Sequence, residues 1–168
     1  MYGEDPYYLA VCHNRIDVLE AVLDIKNENK WNALHATVMY RGLDMINAFS
    51  DNDIHRHGHA QDKDNKTPLH WAFYKCDAVV ALILLEKGCW KLYNGEDKPL
   101  LLHMTVEAFA FDRKASPYLK WLDLIQWLRG PGGIDPTVED SKGETASDLY
   151  DKWDVLDELF RKTLREIG

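Results

Sequence analysis

Thr67-Pro68-Leu69-His70-Trp71-Ala72, followed by the apolar run Val79-Val80-Ala81-Leu82-Ile83-Leu84-Leu85 and a stop at Gly88, is the stretch on which the fold of this 168-residue chain turns. Thr67 has a hydroxyl suited to capping a helix, and Pro68 suits a first helical turn, where no N–H is needed. Ala72 keeps that helix thin enough for a neighbour to stack closely. The preceding Asp62-Lys63-Asp64-Asn65-Lys66 reads as a turn. Asn65 within it tolerates the left-handed backbone that such a turn requires.

Weaker copies lie on both sides. Asn32-Ala33-Leu34-His35-Ala36-Thr37 and Leu100-Leu101-Leu102-His103-Met104-Thr105 keep the Leu-His core, and Asp5-Pro6-Tyr7-Tyr8-Leu9-Ala10 keeps the Pro and the Ala. Gly143-Glu144-Thr145-Ala146-Ser147-Asp148-Leu149 follows Asp140-Ser141-Lys142 with a similar lead-in. With Asp5, Asn32, Thr67, Leu100 and Thr145 as equivalent positions, the spacings are 27, 35, 33 and 45 residues. An apolar-acidic-apolar-apolar quartet recurs independently as Ile16-Asp17-Val18-Leu19, Leu43-Asp44-Met45-Ile46 and Leu122-Asp123-Leu124-Ile125. The first two quartets are 27 residues apart, the same offset as Asp5 and Asn32. The third unit has Ala78-Val79-Val80-Ala81 without the acid, and the fifth has the polar Leu156-Asp157-Glu158-Leu159.

These segments resemble the ankyrin repeat, whose T-P-L-H-x-A signature recurs at a period of about 33 residues. The resemblance implies an all-α solenoid of about five helix-turn-helix units with short β-type finger loops. One domain then covers residues 1–168, with units at roughly 2–26, 27–59, 60–92, 93–135 with an insert near 107–121, and 136–168 as a C-terminal cap. It also implies that His35, His70 and His103 tie neighbouring loops together by hydrogen bonds rather than act in catalysis. The extra residues between His103 and Leu122, among them Asp112-Arg113-Lys114-Ala115-Ser116-Pro117, suggest a lengthened turn between two helices. Gly130-Pro131-Gly132-Gly133 ends the second of these. Residues 148–166 read as the polar outer face of a cap. At the other end, Met1-Tyr2-Gly3-Glu4 begins at the turn of unit one, with Tyr7 and Tyr8 read as exposed; this suits a half-cap or an array cut from a longer one. The degenerate repeats and the insert resemble those of viral or intracellular-bacterial host-directed members.

Composition narrows the function classes. Acidic residues outnumber basic ones 28 to 20, for a formal charge of −8. A chain that acidic lacks the usual electrostatic footprint of a nucleic-acid or anionic-membrane binder. No apolar run approaches the roughly 20 residues that span a bilayer, and the start resembles no signal peptide. Three cysteines, Cys12, Cys76 and Cys89, without a CxxC pair, indicate neither a disulfide framework nor a zinc module. The expectation is a cytoplasmic or nuclear protein, intracellular, in a host cell if host-directed, and a monomer when unbound.

Ile54-His55-Arg56-His57-Gly58-His59 carries three imidazoles at i, i+2, i+4, which share one side of an extended strand and could ligate a metal. Its place on a solvated finger between units two and three makes His55, His57 and His59 an adventitious site at most. Asp51, Asp53, Asp62 and Asp64 suggest a calcium loop, but counting from Asp51 puts Arg56 where Gly is needed and Asp62 where Glu is needed. Cys12-His13 is adjacent in sequence, whereas catalytic pairs are brought together by the fold; packing for Cys12 and exposure for His13 are expected. With no G-x-S-x-G, phosphate-binding Gly-rich loop or H-E-x-x-H, neither catalytic residues nor a cofactor are expected.

The resemblance points to a non-catalytic module that binds a partner protein through its concave face and finger loops, as an adaptor, inhibitor or targeting arm. The alternatives are a regulatory or substrate-recruiting domain of a larger enzyme, or a metal-binding protein using the histidine loop. The family's variable positions fall on Tyr2, Glu4 and His13 in unit one, and on Glu28, Asn29, Trp31, Met39 and Tyr40 in unit two. Unit three contributes Lys63, Lys66, Tyr74 and Lys75, and unit four Glu96, Asp97 and Glu107. Trp31, Met39, Tyr40, Lys63, Lys66, Tyr74 and Lys75 form the expected contact surface, because clustered Trp and Tyr beside cationic side chains have the composition of an interface hot spot. Trp31 could instead be buried between units. The lysines suggest an acidic or mixed-charge partner.

Overall fold

The computed structural model describes residues 6–21, 23, 25–40, 42–89, 100–111, 118–152 and 162–163. Among these lie ten helices: α1 (Pro6–Cys12), α2 (Ile16–Ala21), α3 (Ala33–Met39), α4 (Leu43–Ala48), α5 (Asp51–His57), α6 (Pro68–Tyr74), α7 (Ala78–Glu86), α8 (Leu101–Phe111), α9 (Tyr118–Arg129) and α10 (Ala146–Lys152). Helices of this length are marginal alone, and each unit is stabilised by burying its apolar face on the next. The inner helices α1, α3, α6, α8 and α10 pack in series, and the outer helices α4, α7 and α9 form a second row behind them. A continuous apolar core runs between the rows, from Val11 through Leu34, Leu69 and Leu102 to Leu149. Buried Thr37 and Thr105 stand where Ala72 stands in unit three. Each satisfies its hydroxyl on the carbonyl four residues back, Ala33 at 2.7 Å and Leu101 at 2.8 Å. No described helix is long and apolar enough to cross a membrane.

Helix starts follow their side chains. Thr67 and Asn32 cap α6 and α3, and in both the histidine three residues on returns a bond to the cap's N–H, closing a reciprocal box. His35 Nδ1 accepts from Asn32 N–H at 3.3 Å, so Nε2 carries the proton and donates to Lys66 O at 3.0 Å in the next unit. His103 Nε2 donates likewise to Glu144 O at 2.8 Å. These are the inter-loop ties expected of His35 and His103. Leu100 has no capping group to offer, and His103 Nδ1 is buried without a hydrogen-bond partner among the described residues.

The fingers share one turn. Asn27 Oδ1 accepts from the N–H groups of Asn29 and Trp31, both at 3.0 Å. Asp62 Oδ1 accepts from Asp64 at 2.8 Å and Lys66 at 2.9 Å, and Asp140 Oδ1 from Lys142 at 2.7 Å and Glu144 at 3.1 Å. Three residues after each anchor, Lys30 (φ 59°), Asn65 (φ 58°) and Gly143 (φ 76°) take the left-handed conformation. Asn65 therefore does the work usually given to glycine.

The expectations for the histidine segment, Tyr7 and Cys12 need correction. His55, His57 and His59 do not lie on an extended finger: residues 51–57 form α5, capped by Ser50, whose side chain accepts from Asp53 N–H at 3.1 Å. A strand's alternation therefore does not apply, and no group of three or more His, Cys, Asp or Glu is placed to hold a metal among the described residues. The stretch expected to form a lengthened turn in unit four, residues 112–117, lies outside the described residues. Residues 107–111 continue α8 and residues 118–121 open α9, making these the two longest helices at 11 and 12 residues. Tyr7 is buried rather than exposed and donates its hydroxyl to Ile25 O. Cys12, by contrast, is exposed rather than packed. Tyr2, Glu4, Glu96, Asp97, residues 112–117, the quartet at 156–159 and much of the polar face at 148–166 lie outside the described residues.

Helix α5 is held at both ends. Lys87 Nζ donates to Phe49 O at 2.9 Å and pairs with Asp51 at 3.1 Å. At the other end Cys89 Sγ donates to Gly58 O at 3.1 Å, and burial pushes the Cys89 thiol up to about 12. A Cβ on Gly58 would sit 2.5 Å from Ile54 O and 2.6 Å from Cys89 Sγ. Gly58→Ala should therefore destabilise the fold by about 2 kcal/mol through overpacking, read as a lower urea midpoint with an unchanged slope.

Candidate functional site

The concave side of units one to three is organised around one buried carboxylate. With Oδ1 engaged by its own turn, Asp62 Oδ2 accepts from Trp71 Nε1 at 2.7 Å and from Trp31 Nε1 at 3.2 Å. Burial pushes this carboxyl up, but hydrogen bonds from Lys66, Trp71, Asp64 and Trp31 outweigh it and hold the group below the ordinary carboxylate range. A single anion thus fixes the third finger, the N-terminal half of α6 and the residue that enters α3.

From that anchor the rings extend as a row. Tyr8 meets Tyr40 with ring centroids 5.0 Å apart, Tyr40 meets Trp31 at 6.4 Å, Trp31 meets Trp71 at 6.0 Å and Trp71 meets Tyr74 at 5.3 Å. Interplanar angles of 72–84° make every contact edge-to-face, the arrangement that aligns positive ring edges with negative ring faces.

The expected contact residues divide by exposure. Tyr74 is 75% exposed, whereas Trp31 is only 7% exposed and stands beneath the surface as a strut. Tyr40, Met39 and Lys75 are half-buried, and Lys63 and Lys66 are exposed. Lys63 ties two fingers together, donating its ammonium to Asn29 Oδ1 at 2.7 Å and its N–H to Asn29 O at 3.0 Å. His13 is also exposed. Tyr74 and Trp71 lie three residues apart on one helix and so share a face. That spacing could have revealed Trp71 from sequence. Asp62 could not be found that way, because a carboxylate opening a turn reads the same whether its second oxygen meets water or two indoles.

Between the inner faces of α6 and α8 runs a groove of about 830 Å³. Among the described residues, Phe73, Tyr74, Met104, Ala108 and Phe111 line it, with Asp64 and Lys66 also on its wall.

A family model described as ankyrin repeats, in three copies, matches residues 7–93. No curated protein matches the chain.

Proposed function

Because the chain belongs to the ankyrin-repeat family, whose repeats are protein-interaction modules, we propose that it acts as a non-catalytic binding module whose concave face grips a partner protein. The observation that carries this reading is the aromatic row, held by Asp62 and ending in the exposed ring of Tyr74. Rings already locked by packing and hydrogen bonds lose little entropy on binding, which favours affinity. Tyr40, Tyr74 and Met39 form the contact patch, Lys63, Lys66 and Lys75 its polar border, and Trp31 its support. An adaptor, an inhibitor or a targeting arm would all use this surface, and so would a recruiting domain of a larger enzyme.

The test is to capture proteins from native lysate with the wild-type chain and with a Tyr40→Ala/Tyr74→Ala variant, then measure the affinity of whatever is retained. Trp31 is left intact because its loss would unsettle Asp62. Affinity should fall about a hundredfold, two hot-spot rings at roughly 1–2 kcal/mol each, with the thermal melt shifted by no more than a few degrees. Equal affinity of both proteins for the captured partner would refute the assignment.

A further inference from the structure

The helical geometry of α5 changes which imidazoles share a side. An α-helix turns about 100° per residue, so His57 projects away from His55. Its carbonyl is taken by Asn32 Nδ2 at 3.0 Å. His59, four positions after His55, returns to within about 40° of it around the axis. Gly58 keeps the register between them. Its backbone is right-handed helical (φ −69°, ψ −16°), and its N–H donates to Ile54 O at 2.8 Å. The last turn of α5 is therefore continued by Gly58 and delivers His59 one turn beyond His55.

Both rings are available. His55 and His59 are exposed, and neither side chain enters a hydrogen bond or ion pair among the described residues. Positions four apart on a helix have Cβ atoms about 5–6 Å apart. That spacing lets one nitrogen of each ring reach a single ion at the usual distance of about 2.0–2.1 Å, as in helical H-x-x-x-H pairs.

The turn is held without a metal. A helix of seven residues is marginal alone, but Lys87 fixes the start of α5 through Phe49 O and Asp51, and Cys89 Sγ fixes its end through Gly58 O. The two imidazoles thus project from a preorganised backbone, and binding need not fold the helix. Asp51 shares their face, but it is paired with Lys87 and sits about 9 Å along the axis from the midpoint of the histidine pair. The ligand set is consequently two imidazoles and not three groups.

Two neutral imidazoles select the class of metal. Calcium and magnesium take oxygen ligands, whereas imidazole suits zinc, copper and nickel. We propose that His55 and His59 form a bidentate site for a divalent transition metal of this class, with water completing the coordination. The site does not depend on the concave-face reading.

The test titrates the full chain, without an affinity tag, calorimetrically with Ni²⁺, and with Mg²⁺ as the oxygen-seeking control. Nickel is the probe because the exposed thiol of Cys12 would compete for softer ions. One nickel should bind saturably per chain, and magnesium should give no heat of binding. His55→Ala and His59→Ala should each weaken nickel at least about tenfold, since losing even a group that only orients a ligand costs about 10–100-fold. His57→Gln and Cys12→Ser should leave the affinity unchanged. Saturating nickel should also raise the melting temperature of the wild-type chain but not that of His55→Ala. With both rings exposed, the metal-free melts of His55→Ala and His59→Ala should match the wild type. The proposal is overturned by the absence of saturable nickel binding, by undiminished affinity in either alanine variant, or by an equal loss in His57→Gln or Cys12→Ser.

Discussion

Asp62→Ala should destabilise the protein by roughly 4 kcal/mol. Four donors converge on this carboxylate, and it is 3% exposed. Removing it strands the buried Trp31 N–H and opens the turn that sets the third finger, and each buried donor left unpaired costs about 1–3 kcal/mol. Asp62→Asn separates the two roles. Asn27 builds the same turn in unit two with an amide oxygen, so an asparagine at 62 keeps the finger. Its NH₂ would then face the two indole N–H groups and accept from neither, so about half the loss should remain. Urea denaturation followed by far-UV circular dichroism reads both variants without depending on indole emission. Asp62→Asn with wild-type stability would show that the indole bonds contribute nothing. Since Tyr40 and Tyr74, the proposed contact residues, pack on Trp31 and Trp71, Asp62→Asn should also weaken the proposed partner binding.

Acid should weaken the fold well above the range where carboxylates titrate. Burial drives His35 down to about 4, against the favourable bond to Lys66 O and the nearby Asp62 charge. The unfolded chain binds this proton near pH 6.5. At pH 7 the ring is neutral in both states and its full contribution is present. As pH falls below 6.5 the unfolded state gains a proton that the folded state refuses, and stability falls by about 1.4 kcal/mol per pH unit until the folded ring titrates near 4. The accumulated loss is about 3 kcal/mol. Asp62 acts in the opposite window: its folded pKa lies below the unfolded one, so its contribution is intact above about 4 and is lost only in stronger acid. Denaturation curves at half-unit steps from pH 7.5 to 4 should therefore decline throughout, and His35→Gln should remove about one proton's worth of slope between pH 6 and 4.5. A wild-type curve flat across that interval would mean that His35 is protonated in place.

Much of the fold was legible because its signals are local. A cap hydroxyl, a proline in the first turn, a histidine at the third position and an anchor five residues before the cap all act within one turn of chain. Residues 32–37, 67–72 and 140–145 therefore carry their structure in their own side chains. The tie from His35 to Lys66 could be anticipated once the period was found, since stacking equal units brings equal positions together. The histidine segment at 55–59 misled because alternation along a strand and a turn of helix both present imidazoles at short spacing. Ser50 and Asp53 were the cues for helix.

The site was less legible. Tyr74 and Tyr40 were readable as exposed or half-exposed rings because they close first helices, where side chains face the concave side. Trp31, drawn into the same set, is buried, and the reason is a contact with residues 31 and 40 positions further along. By itself, then, the sequence determined the repeat, its two-row helical architecture and the finger turns, because these follow from bonds between residues a few positions apart. Only the tertiary structure decided which rings are exposed and which are buried beneath them, that Asp62 is shared by two indoles, and that residues 107–111 and 118–121 of unit four belong to α8 and α9. Those outcomes depend on distances between units, which are set by packing volume and by competition for a single buried acceptor.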